Sequence, residues 1–132
     1  MSADDQRHEI ARRKVVYQAP GADAVTVRRD LVYRETDEGL LTLDLYRPPD
    51  VPDGARLPVV VFVSGFSDLG AQAWLGCKFK EMESFISWAR STAASGLAAI
   101  TYATAVAPRV TLRRRATVRR DRGLPYFRVY DS

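Results

Sequence analysis

The sequence predicts an α/β protein whose sheet is mixed: an antiparallel hairpin followed by a parallel βαβ unit. Three observations predict it. Residues 40–47 (LLTLDLYR) alternate Leu41, Leu43 and Leu45 with Thr42, Asp44 and Tyr46, the period-two pattern of a half-buried strand. Residues 57–64 (LPVVVFVS) are a continuous, largely β-branched run without alternation, as in a parallel strand covered on both faces. From Lys80 to Ser95 the apolar spacing becomes helical.

Taken in order, residues 1–24 form a polar N-terminal segment. Within it, residues 1–13 read as a frayed helix or a disordered stretch, and residues 14–17 (KVVY) as a short strand stopped by Pro20-Gly21. Residues 25–34 (VTVRRDLVYR) and 40–47 pair as a hairpin across ETDEG, where Gly39 is free to take a positive φ. PPDVPDG at 48–54 is a loop, since proline lacks the ladder donor and holds the preceding residue extended. The strand at 57–64 is followed by a loop over 65–76.

In the helix at 80–95, Met82, Phe85, Ile86, Ala89 and Ala93 share one face, which Lys80, Glu81, Glu83, Ser84 and Arg90 avoid. Gly96 follows as the C′ residue. Residues 97–102 (LAAITY) make the last strand, parallel to 57–64 because a helical crossover joins them with a right-handed turn.

The 132 residues are one domain's worth of chain. Charge divides it. Residues 1–108 hold 12 basic and 14 acidic side chains, a net of −2, whereas residues 109–132 hold eight arginines and two aspartates, a net of +6. Such a break marks a boundary, so 109–132 is expected to be an Arg-rich tail outside the fold of 25–108. No apolar run approaches the roughly 18 residues a membrane helix needs. The charged start, MSADDQRHEIARRK, does not read as a secretory signal. The single Cys77 excludes an intrachain disulfide framework and a zinc site of paired cysteines. The expectation is a cytoplasmic protein.

Several stretches have a familiar order: DLVYR at 30–34, LDLYRP at 43–48, LPVVVFVSG at 57–65, SWAR at 87–90 and AASGLAAITY at 93–102. Together they make residues 25–108 resemble the N-terminal half of the α/β-hydrolase fold, in its esterase and dienelactone-hydrolase-like branch. The resemblance implies hydrolysis of a small-molecule carboxylic ester or lactone, with no cofactor and no metal. In that family the loop after the third strand gives one backbone N–H to the oxyanion hole. Ser64 falls at the usual histidine position, Gly65 at the glycine, and Phe66 at the residue whose amide faces the oxyanion. The resemblance thus implies Phe66 as oxyanion-hole donor, Gly65 as the point of close approach and Ser64 as the residue positioning the loop. One such donor is worth about 2.7–4 kcal/mol of barrier.

GFSDLG at 65–70 is one residue away from a G-x-S-x-G elbow, yet Leu69 stands where the second small residue is required. Ser67 also follows the third strand rather than the fifth, and the only histidine, His8, precedes it. Ser67 is therefore not expected to be the nucleophile. Cys77, without flanking glycines, reads as a small, partly buried residue. No nucleophile, late acid or late histidine follows Pro108, where the family continues with a helix, a fifth strand and the elbow. The expectation is a truncated hydrolase, inactive alone. Its 59–63 edge would be unpaired and able to self-associate, and one sheet face would lack its helices.

Other candidates have plainer readings. Asp37-Glu38 are solvated turn residues rather than an acid/base pair, and His8 belongs to a charged surface. Trp88 is expected to pack beside the helix face, Trp74 to sit in the loop, and Ser67-Asp68 to hold that loop through an Asx or Ser turn. Two competing functions are a non-catalytic, hydrolase-like interaction module and weak nucleic-acid binding by the Arg-rich tail. The second is less favoured, because no helix-turn-helix or RNA-recognition motif accompanies the arginines.

Overall fold

The computed structural model describes residues 7–104. The Arg-rich segment 109–132, with the nucleic-acid reading that rests on it, lies outside the described residues.

Four strands form one sheet: β1 (Thr26–Thr36), β2 (Gly39–Arg47), β3 (Val59–Phe62) and β4 (Ala98–Tyr102). Their spatial order is β1-β2-β4-β3. The hairpin pairs antiparallel from Thr26 opposite Arg47 to Thr36 opposite Gly39. β4 lies antiparallel to β2 and parallel to β3, with Val59 opposite Ala98. The mixed sheet thus has the class expected, an antiparallel pair joined to a parallel one.

Three helices accompany it: α1 (Glu9–Arg12), α2 (Asp68–Leu75) and α3 (Glu83–Ala94). α3 is the crossover between β3 and β4 and covers one face of the sheet, where Ala89 and Ala93 pack on Tyr46, Ala99 and Val25. Gly96, at φ +95, lets the chain leave α3 in the left-handed region as a C′ residue does. A second cluster joins Ala11 of α1 to Ala71, Leu75, Cys77 and Met82, flanked by Phe79 and Phe85. α1 thereby belongs to the core despite its polar sequence.

Several elements differ from expectation. Residues 14–17 form no strand; Val16 is wholly exposed, so the Val15-Val16 pair has no apolar face to join. The span 65–76 is not all loop, because Ala71 and Leu75, one helical turn apart, bury against the second cluster and stabilise α2. The long helix begins at Glu83 rather than at Lys80. Phe79–Glu81 instead form a 3₁₀ turn, which the Glu81 carboxylate closes by accepting the Lys78 N–H at 2.8 Å. Trp88 is 53% exposed, since the small Ala89 beside it makes the contact with the sheet.

The largest difference concerns which side of β2 is inside. Tyr46 and Asp44 are fully buried beneath α3 and the 3₁₀ turn; of the three leucines expected inside, Leu41 is buried at 8% exposure, whereas Leu43 and Leu45 are only half-buried. Leu43 and Leu45 share the opposite face with Val59, Val61, Ile100 and Tyr102, given the register of the four strands. Among the described residues no helix covers that face. β3 is accordingly not covered on both sides: Val59 and Val61 are half-exposed, and one edge of the strand has no partner among the described residues.

Candidate functional site

The loop leaving β3 places Ser64, Gly65 and Phe66 at the end of the sheet. The Ser64 hydroxyl donates to the Phe66 carbonyl at 3.0 Å, closing a tight turn around Gly65. A Cβ at Gly65 would meet no heavy atom within 4 Å, so the space over this turn is open. Among the described residues the Phe66 N–H has no acceptor. Phe66 is 79% exposed.

Ser67 opens α2 as its N-cap in extended conformation, without a side-chain cap bond. Asp68 then anchors the whole loop. Its carboxylate, 1% exposed, accepts the Phe79 N–H at 3.0 Å and the Thr104 N–H at 2.6 Å. Its own N–H donates to the Thr104 hydroxyl at 2.9 Å. The carboxylate therefore ties the segment after β3 to the one after β4 and to the turn before α3. The sequence suggested a local Asx or Ser turn; the bonds instead reach 11 and 36 residues away, a distance that local pattern does not report.

Beneath this loop lies a charge cluster that sequence reasoning missed. Lys80 turns inward and its ammonium reaches Asp30 at 2.7 Å and Asp44 at 2.9 Å. Arg29 approaches the other Asp44 oxygen at 3.6 Å. A bulge in β1 makes this geometry: Asp30 takes φ +57 and the pairing slips between Arg28 and Leu31. Aspartate tolerates the left-handed region better than most side chains. The Asp30 N–H then donates to Asp44 at 3.0 Å. Burial opposes the Lys80 charge, but hydrogen bonds to Asp30 and Asp44 outweigh it and hold the ammonium above its ordinary pKa. Lys80 hydrogen-bonds Asp30 and pulls its carboxyl below the usual range. A lysine so held is a structural cation and not a nucleophile.

Phe79, adjacent to Lys80, links this cluster to Asp68. The 3₁₀ turn is thus held on one side by Asp30 and Asp44 through the Lys80 ammonium and on the other by Asp68 through the Phe79 N–H. The one legible sign was an aspartate on the polar half of an otherwise leucine-rich strand.

The remaining candidates stand apart. Cys77 is buried, and burial pushes its thiol up, which suits packing rather than attack. Asp37 and Glu38 are exposed at the hairpin turn. His8 is exposed, accepts the Ile10 N–H at 3.2 Å, and has its ring 6.0 Å from that of Trp74. Among the described residues no group of three His, Cys, Asp or Glu could hold a metal ion, and no helix is long and apolar enough to cross a membrane. No protein-family model matches the chain, and no curated protein matches it.

Proposed function

We propose that residues 25–104 are the N-terminal part of a hydrolase of the α/β-hydrolase type, acting on a carboxylic ester or lactone, with Phe66 as one oxyanion-hole amide. The observation supporting this most directly is the strand order β1-β2-β4-β3, which leaves β3 at an edge where a fifth strand would join. The family resemblance implied that placement for the 59–63 strand. The anchored loop after β3 supports it too. A donor stabilises developing charge only if it is held in place beforehand, and Asp68 and Ser64 brace the turn on both sides of Phe66. Gly65 leaves room for a substrate carbonyl to approach.

The chain has no G-x-S-x-G elbow and no histidine after Ser67, so it supplies the cradle for negative charge and not the attacking group. Two experiments test this reading. The purified 132-residue chain is expected to hydrolyse p-nitrophenyl butyrate at the background rate; turnover abolished by Ser67→Ala or Cys77→Ala would overturn it. Sequencing beyond the coding region of residue 108 in all frames is expected to find an elbow and a later histidine; finding neither would also overturn it.

A second reading draws on the open face. The half-exposed Val59 and Val61, at an edge unpaired among the described residues, favour self-association of a non-catalytic module through 59–63.

A further inference from the structure

At the end of the sheet away from the Phe66 loop, the uncovered face holds a hollow of about 470 Å³. β3 begins here at Val59, whereas the Phe66 loop follows its other end. The hollow comes from side-chain size. Ala98 opens β4, the strand between β2 and β3, and lies opposite Val59. One step along from the Tyr46–Ala99 pair, Arg47 flanks it from β2. A single methyl on the middle strand leaves space between longer neighbours, and Leu45, Leu57 and Val59 make the wall apolar. The size lies within the roughly 300–1,000 Å³ range of small-molecule sites.

Two arginines also line the hollow, and they differ. Arg47 is committed: its guanidinium donates to the Asp53 carboxylate at 3.0 Å and to the Pro52 carbonyl at 2.9 Å. Asp53 thus balances its charge. Arg56 is exposed and makes no hydrogen bond or ion pair among the described residues. No carboxylate lines the hollow. An apolar wall is therefore joined to one uncommitted cation at the rim.

We propose that this hollow binds a small organic anion with an apolar body, a monocarboxylate whose hydrocarbon or aryl part lies on Leu45, Leu57 and Val59 while its carboxylate meets Arg56. Apolar burial supplies the attraction and is indifferent to the sign of charge. Arg56 supplies the sign: a carboxylate stays at the rim beside a guanidinium that matches its geometry, whereas an ammonium there faces a like charge. The site does not depend on the hydrolase reading, because none of its residues belongs to the Phe66 loop.

The test uses the 132-residue chain at low micromolar concentration, below the range expected for self-association. The neutral probe N-phenyl-1-naphthylamine, whose emission rises in apolar surroundings, is displaced with octanoate or octylammonium. Octanoate is expected to displace it saturably and at lower concentration than octylammonium. Arg56→Gln is expected to weaken octanoate about threefold, the scale of one solvent-facing ion pair, and Arg56→Glu to reverse the order of the two ligands. Arg12→Gln removes the same charge from α1 and is expected to change neither, which separates Arg56 from net charge. Phe66→Ala, at the other end of β3, is likewise expected to leave the titration unchanged. All of these side chains are exposed, so the fold is expected to persist, with thermal unfolding as the check. Absence of displacement, an effect of Arg12→Gln equal to that of Arg56→Gln, or loss of displacement in Phe66→Ala overturns the proposal. So does an octanoate preference that survives Arg56→Glu.

Discussion

Lys80 and Asp44 form a buried ion pair, 2.9 Å between Nζ and Oδ1, with side chains only 6% and 2% exposed. A buried pair of this kind need not add net stability, because desolvation opposes the mutual attraction. Its effect is conformational. It holds the 3₁₀ turn against β2 and so sets where α3 begins and where Phe79 meets Asp68.

Removing one partner should therefore cost more than removing both. Lys80→Met alone leaves the buried Asp44 carboxylate with only the half-exposed Arg29, 3.6 Å away, as a cation and is expected to lower stability by about 3–5 kcal/mol. The double variant Lys80→Met, Asp44→Leu is expected to recover much of that loss. Urea unfolding of Lys80→Met, Asp44→Leu and the double variant measures it; losses in the double equal to the sum of the two singles would show that the pair is not coupled.

Stability should fall at both ends of the pH scale. The folded Asp30 carboxyl titrates below its ordinary value, so its contribution is present above about pH 4 and disappears as pH falls through the depressed folded value. Lys80 titrates above its ordinary value, so its contribution is complete below about pH 10 and disappears as pH rises through the elevated one. A plateau in the urea midpoint through neutrality is expected, with Asp30→Asn flattening the acid limb. Asp30 is exposed at its outer side, so its share of that limb is small.

Asp68→Asn is nearly isosteric but replaces one acceptor oxygen with a donor facing an N–H. Loss of one of the two amide bonds, to Phe79 or Thr104, is expected to destabilise by about 1–3 kcal/mol. Amide hydrogen exchange should accelerate at Phe79 and Thr104 beyond the global change. Unchanged exchange at both would remove the clamp from the account of the Phe66 loop.

The open sheet face gives a prediction about association. Wild-type protein is expected to self-associate in sedimentation velocity at tens of micromolar, and Val61→Lys to shift it toward monomer. A lysine on an exposed edge strand blocks strand addition at little cost to the fold. A monomeric wild type would remove the self-association reading.

The hairpin, the apolar strands at β3 and β4, and the helix face of Ile86, Ala89 and Ala93 were all legible in the chain, because each depends on local period and on turn residues such as Gly39 and Gly96. What the period could not say is which half of an alternating strand turns inward. In β2 Leu43 and Leu45 have the same spacing as Asp44 and Tyr46, and the choice fell to whatever packs above: α3 over Tyr46, and Lys80 over Asp44, while Leu41 alone of the leucines is buried. Asp68 bonding to Thr104 and Lys80 to Asp30 were equally invisible, since their partners are 36 and 50 residues distant and only chain closure brings them together. α2 was hidden for the opposite reason: eight residues containing a glycine have weak helical preference, and burial of Ala71 and Leu75 supplies what propensity lacks. Local pattern set the elements; long-range polar contacts decided their faces, their ends and the shape of the Phe66 loop.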